Sequence, residues 1–361
     1  MTEHEIYMKR CLELARNAIG DTAPNPMVGS VLVHEGRIIG EGYHREYGKA
    51  HAEVNCLDSV PSYDRDLVSE STLYVSLEPC AHFGKTPPCA DLIIRHRIPK
   101  IVIGVRDPFV SVNGKGIEKL REAGVKVITG VLEEECKQIN QRFFTFHTRH
   151  RPFVLLKWAQ TADGVIGAAD RSRLLISNEA TNRLVHRWRS EEMSILVGTT
   201  TALYDDPELT TRLWPGKSPI RLVVDMDLSL PSNLKLFTSG HPTVVFNLYR
   251  HTLPLEKISA EEVRSFGLSY YQVTHDVSLV HQMMNALYRM GIQSVLVEGG
   301  AFLLQSFLDE GIWDEARVIT NEQLETGAGL PAPRFKGLHP VRHERIFSDT
   351  IRYYNNHMHK E

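Results

Sequence analysis

Nowhere does this chain approach the roughly 18 consecutive apolar residues that a membrane-spanning helix needs, so no segment reads as a bilayer crossing. The opening stretch MTEHEIYMKRCLELARNAIG lacks the apolar centre of a secretory leader, and a cytoplasmic protein with no membrane partner is expected. Excess charge is missing too: 41 Lys and Arg against 44 Asp and Glu leave a formal -3, with no dense basic run to attract nucleic acid. Small-molecule chemistry is favoured. Cysteine is scarce: Cys11, Cys56, Cys80, Cys89 and Cys136 are five thiols scattered over 361 residues, a poor disulfide framework and a better source of buried or metal-binding groups. An internal repeat and the G-x-G-x-x-G fingerprint of dinucleotide loops are also absent.

What is present suits two folded domains, since the length exceeds one compact core and 42% hydrophobic against 24% charged residues is a globular balance. Up to residue 146 the pattern reads helix, then β-β-α-β-α-β-α: SVLVHEGRIIGEGYH as a hairpin about Glu-Gly, STLYVSLEP and KIVIGV as strands, and LEEECKQINQRFF as a closing helix. The polar segment HTRHRP marks a boundary, and from residue 151 strands (FVLLKWAQ, SILVG, IRLVVD, TVVFNL, SVLVEGG, ARVIT) again alternate with helices. The fold class expected is α/β in two domains, 1–146 and 151–361.

Three residues stand out as metal ligands. His51, Cys80 and Cys89 supply one imidazole and two thiols, a donor set that holds catalytic zinc and leaves its fourth position open. HAE followed by EPC fits the H-x-E and P-C signature of zinc deaminases, in which the glutamate, here Glu53, shuttles protons. Eight residues rather than two separate the cysteines, so AHFGKTPP must loop out and return Cys89 to the start of the helix ADLIIRHR. On a regular helix positions 51 and 53 face apart, so they share a site only if His51 sits on the entry turn. Cys56 points elsewhere and reads as core. Zinc activating water, with Glu53 moving the proton to a departing amine, amounts to hydrolytic deamination.

The blocks APNPMVGSVLV, GYHREYGKAHAEVN and SLEPCAHFGKTPPCADLI resemble those of the bifunctional riboflavin-biosynthesis deaminase/reductase family, longer cysteine loop included. RPFVLLKWAQTADG, LVHRWRSEEMSILVGTTTALYDDPELTTR and VLVEGGAFLL are similar to the reductase half of that family. The resemblance implies a cytidine-deaminase-like α/β sandwich followed by a dihydrofolate-reductase-like α/β domain that uses NADPH. It implies two steps: 2,5-diamino-6-(5-phosphoribosylamino)pyrimidin-4-one loses its 2-amino group, and the ribosyl chain is then reduced to give 5-amino-6-(5-phosphoribitylamino)uracil. A homo-oligomer, dimer or tetramer, is implied as well.

By the same resemblance Asn25, His44 and Lys85 contact the pyrimidine or ribose phosphate; Arg189, Leu209, Arg212 and Glu298 contact the substrate of reduction; and Thr201, Asp205, Gly299 and Gly300 hold the cofactor. Without it, Asn25 reads as a turn former, Asp205 and Asp206 as capping residues and Gly299-Gly300 as a turn, although a glycine pair opening a helix can cradle a phosphate. Lys157, mid-strand among apolar residues, is costly to bury without a role, and is expected to face the pocket and assist proton transfer or orient the sugar. Two positions depart from the family: Leu175 stands where a tryptophan is frequent, and Met226 where some members have serine. Two rival readings stay open, a nucleic-acid base deaminase with an appended domain and a non-catalytic metal-binding module.

Overall fold

The structure, a computed structural model, describes residues 1–83, 87–109, 112–170, 172–254, 256–335 and 337–356. It divides into two compact units, Met1–Arg149 and His150–Glu361.

The first unit runs α1 (Glu3–Arg16), β1 (Gly29–His34), β2 (Arg37–Tyr43), α2 (Ala52–Asp58), a 3-10 segment (Ser62–Glu70), β3 (Thr72–Leu77), α3 (Cys89–Arg95), β4 (Lys100–Val105), α4 (Lys115–Glu122), β5 (Lys126–Thr129), α5 (Glu133–Ile139) and α6 (Gln141–Arg149). Thr2 and Glu5 form a reciprocal capping box that starts α1. Both residues of the β1–β2 turn, Glu35 and Gly36, have positive φ, the conformation that lets a tight hairpin follow the strand twist. The sheet order is β2-β1-β3-β4-β5, with β3, β4 and β5 parallel. Alternate residues of these strands feed two apolar layers: Leu32, Leu73, Val75 and Ile101 pack with Cys56, Ile93 and Leu120, while Val31, Tyr74 and Val102 pack with Met8, Cys11 and Cys136. Cys11, Cys56 and Cys136 are therefore core thiols. The glycines of β2 allow α2 to lie against the strand, since a Cβ at Gly42 would come within 2.2 Å of the Cys56 amide nitrogen.

The helix expected over residues 132–144 is two helices, broken at Asn140. Its buried amide bonds both backbone groups of Met27, accepting from the N–H at 2.8 Å and donating to the carbonyl at 2.9 Å. That side chain ties down the Pro-rich segment that carries Asn25.

The second unit contains β6 (Phe153–Thr161), β7 (Val165–Ala168), α7 (Glu179–Glu191), β8 (Ser194–Val197), α8 (Thr199–Asp205), β9 (Ile220–Val224), α9 (Lys235–Thr238), β10 (Thr243–Asn247), α10 (Ala260–Ser265), β11 (Leu268–Gln272), α11 (Leu279–Arg289), β12 (Ser294–Val297), α12 (Ala301–Asp309), β13 (Glu315–Asn321), β14 (Gly329–Pro331), β15 (Arg342–Ile346) and β16 (Asp349–Asn355). Its nine-stranded sheet has the order β11-β10-β9-β8-β12-β6-β13-β16-β15, parallel through β13 and antiparallel in the last two strands. The continuous apolar runs SILV, IRLVV and SVLV are buried at every position, as strands covered on both faces must be. Arg221 is the charged exception, and its guanidinium donates to the carbonyls of Leu236 and His241 and to the hydroxyls of Ser239 and Thr243. The last two strands, β16 and the edge strand β15, and the small β7–β14 pair went unseen in the sequence; in β15 the exposed, charge-bearing RHERI carries no apolar period.

Candidate functional site

In the first unit, His51 occupies the N-cap of α2 in extended backbone (φ -73°, ψ 169°), so its ring leaves the helix axis and Glu53 follows on the first turn. Cys80 lies just past β3, and Cys89 is the first residue of α3. The three ligand atoms lie within 4.8 Å of one another, with His51 Nδ1 3.6 Å from Cys80 Sγ and 3.3 Å from Cys89 Sγ. Hydrogen bonding from Cys89, with help from the His51 ring, lowers the Cys80 thiol to about 4 although burial opposes it. A ready thiolate beside an imidazole and a second thiol is chemistry that fits zinc.

Glu53 is 3% exposed, and no lysine or arginine pairs with it among the described residues. Burial pushes its carboxyl up, with the His51 ring pulling the other way. His44 stands edge-on to His51, with ring centroids 5.4 Å apart. It faces the Ala50 carbonyl through Nδ1 at 3.0 Å and the Asn25 amide through Nε2 at 3.1 Å, and burial lowers its pKa. With Nδ1–H donating to the carbonyl, Nε2 accepts from Asn25. Asn25, His44, His51, Glu53, Cys80 and Cys89 thus meet in one place, while Lys85 lies outside the described residues.

Two acids that sequence reading passed over support this place. Buried Glu78, directly after β3, accepts from the backbone N–H groups of Asp107, Gly114, Gly116 and Ile117 at 2.9–3.3 Å, fastening the strand end that leads to Cys80 onto the start of α4. Asp107 is buried beside it, and burial pushes its carboxyl up to about 7. The available signal was an acid closing an otherwise apolar strand, SLEP.

The second unit gathers a different set. Glu298, directly after β12, accepts from Arg189 Nε at 2.9 Å and Nη2 at 2.7 Å, and Lys157 Nζ is 3.9 Å from the same carboxylate. Burial alone would raise the Glu298 carboxyl, but the two cations hold it down to about 2. Burial lowers Lys157 in turn. Two cations against one anion leave a net positive charge in a poorly solvated place, which an anionic ligand would neutralise. The paired face of Arg189, expected to grip a phosphate, is taken by Glu298; its Nη1 reaches the Thr210 carbonyl at 3.3 Å. Leu209 is also not where a ligand-facing side chain would be. It is 2% exposed within the apolar layer of Phe153 and Leu155, and its positive φ of 55° turns the chain toward Arg212. Arg212 lines a cleft of about 760 Å³ together with Asn182, Arg183 and Trp214.

At the C-terminal ends of the adjacent parallel strands β8 and β12, the helices α8 and α12 begin side by side. A Cβ at Gly299 would meet the Thr201 side chain at 2.8 Å, and Gly300, the N-cap of α12, has a φ of 80°. Bare backbone and two helix starts form a cradle suited to a dinucleotide phosphate. Asp205 ends α8 and its carboxylate makes no hydrogen bond among the described residues, whereas the Asp206 carboxylate accepts from the Lys235 N–H at the start of α9 at 2.8 Å. Leu175 is 74% exposed and Met226 is packed at the edge of the core, so neither supplies a polar or stacking group here.

Residues 1–105 match the cytidine and deoxycytidylate deaminase zinc-binding region, and residues 152–322 match the RibD C-terminal domain. The chain is 40% identical to the riboflavin biosynthesis protein RibD of Aquifex aeolicus over 90% of its own length and 88% of the relative's, and 37% identical to that of Bacillus amyloliquefaciens over 86% and 82%. Among solved structures it resembles the diaminohydroxyphosphoribosylaminopyrimidine deaminase/5-amino-6-(5-phosphoribosylamino)uracil reductase of Thermotoga maritima, with a TM-score of 0.85, 36% identity and 98% of both chains covered. A RibD of Acinetobacter baumannii gives a TM-score of 0.86 at 28% identity, also over 98% of both chains.

Proposed function

The chain belongs to the RibD family of riboflavin-biosynthesis deaminase/reductases, and from that membership we propose how its own residues divide the two reactions. It is a bifunctional enzyme with zinc and NADPH as cofactors. The first unit removes the 2-amino group of 2,5-diamino-6-(5-phosphoribosylamino)pyrimidin-4-one, and the second reduces the ribosyl chain of the deaminated product to ribityl.

His51, Cys80 and Cys89 hold the zinc, which when bound supplies a Lewis acid that makes water nucleophilic at neutral pH. Glu53 takes the proton and delivers it to the departing amine, a task suited to a buried carboxyl with no lysine or arginine clamped to it among the described residues. Asn25 and His44 orient the pyrimidine, and Lys85 is assigned with them to the ribose phosphate. In the second unit Thr201, Asp205, Gly299 and Gly300 hold NADPH, whose nicotinamide supplies hydride. Arg212 and the remaining N–H of Arg189 draw in the substrate phosphate, Leu209 lines the approach through its backbone, and Lys157, kept in place by Glu298, presents its ammonium to the sugar.

The convergence of one imidazole, two thiols and a buried glutamate with no lysine or arginine partner among the described residues carries the reading. The absence of a helix long and apolar enough to cross a membrane, among the described residues, is consistent with action in the cytoplasm on a diffusible substrate, and a homo-oligomer is proposed with it. The test is to supply the diaminopyrimidine phosphate with and without NADPH and follow products by mass. An oxygen-for-amine exchange should occur without NADPH, and two hydrogens should be gained only with it. Ammonia release from RNA instead of the free nucleotide would favour the base-deaminase rival.

A further inference from the structure

Between the helix bearing Arg189 and the loop bearing Arg212 sits a histidine with no part in the roles above. His186 is buried on α7, one turn before Arg189, and its Nδ1 accepts the backbone N–H of Arg212 at 2.9 Å. Arg189 makes a parallel contact from the same helix, Nη1 to the Thr210 carbonyl at 3.3 Å. Two bonds from one helix face therefore hold residues 210–212, and the Arg212 guanidinium is steadied by Thr210 Oγ1 at 2.9 Å and by Glu208 at 2.8 Å. An acceptor at Nδ1 requires the neutral ring in its Nε2–H tautomer.

The charged groups facing His186 keep it in that form. Arg189 on its own helix, Arg212 on the loop and Lys157 on β6 are cations, and Glu298 after β12 is the one anion among them. Burial first, then Arg189 and Arg212, bring the imidazole down to about 4. An imidazole neutral throughout the working range is a fixed acceptor and a poor proton relay.

We propose that His186 is a positioning residue of the reductase site, setting the Arg212 segment against Arg189 through its Nδ1. This rests on the assignment of Arg212 to the substrate of reduction. The ring acts through main chain, so what it fixes is where Arg212 stands when substrate arrives; such a residue shows in KM before kcat.

Two polar replacements of similar kind separate this role from general support of the fold. His186→Asn places an amide oxygen near the former Nδ1, whereas the longer His186→Gln reaches past it toward the Nε2 position. With the deaminated pyrimidine phosphate and NADPH supplied to the full-length enzyme, His186→Gln should raise the KM for that substrate about tenfold with kcat within about twofold, while His186→Asn stays within about twofold on both. The KM for NADPH and the rate of ammonia release should not change. Equal KM values for the two variants, either both raised or both unaltered, would overturn the proposal. So would the loss in His186→Asn of one limb of the kcat/KM against pH profile, which would make the ring an acid or base. Arg212→Ala is the control: if it raises KM and His186→Gln does not, the positioning role fails alone, and if it leaves KM unchanged, the assignment of Arg212 fails and the proposal with it.

Discussion

Glu53 in the first unit and Glu298 in the second are both buried carboxylates beside a candidate reaction centre, and their surroundings are opposite. Glu53 has a metal-ligand cluster on one side and no lysine or arginine partner among the described residues, so burial raises its carboxyl. Glu298 has Arg189 across both oxygens and Lys157 behind, and titrates near 2. The same side chain is left able to gain and lose a proton in one unit and is locked as an anion in the other. Environment separates the roles proposed for them: proton carrier for the first carboxylate, and for the second an anchor that holds two cations in place.

Removing each charge should break the comparison in different ways. Glu53→Gln should retain zinc by elemental analysis but lower the rate of ammonia release by about a hundredfold to ten-thousandfold, the usual worth of a positioned acid or base. NADPH oxidation on supplied deaminated substrate should be unaltered. Glu298→Gln should instead lower the stability of the second unit by about 3–5 kcal/mol, because it strands two buried cations, and a thermal scan should show this while deamination persists. If Glu298→Gln melted like the parent, the clamp would not be what holds that site together.

Glu78→Gln sharpens the contrast inside the first unit. Its carboxylate accepts four backbone N–H groups, where a carboxamide has one acceptor oxygen, so a loss of about 2 kcal/mol and weaker zinc retention after dialysis are expected. The smallest effect is a pH slope. The folded pKa of His186, about 4, lies below the ordinary 6.5, so the unfolded chain binds the proton more readily. The stability from keeping the ring neutral is complete above pH 6.5 and is lost as pH falls toward 4. The melting temperature of the second unit should therefore fall less steeply over that window in His186→Asn than in the parent.

Much of the first site was legible because the chemistry is local: His51 and Glu53 share one turn, and Cys80 and Cys89 bracket one loop in a strand-loop-helix setting. Glu78 was hidden because its partners lie 29 to 39 residues away and are main-chain groups, which have no signature in the side-chain pattern. Asn140 broke an expected helix for a similar reason, since its amide serves Met27 across 113 residues. In the second unit Lys157 was recognisable as a misplaced cation, yet the closure of Glu298 over Arg189 depends on strand order in a nine-stranded sheet, which short-range periodicity does not encode. Leu209 likewise looked like a lining residue, but its backbone turns the side chain into the core.

One preparation treated with a strong chelator tests the account most directly, with both activities followed on separately supplied substrates. Ammonia release should stop and return when zinc is restored, while reduction of the deaminated substrate by NADPH continues throughout. Undiminished deamination by protein shown to be metal-free would contradict the assignment of His51, Cys80 and Cys89.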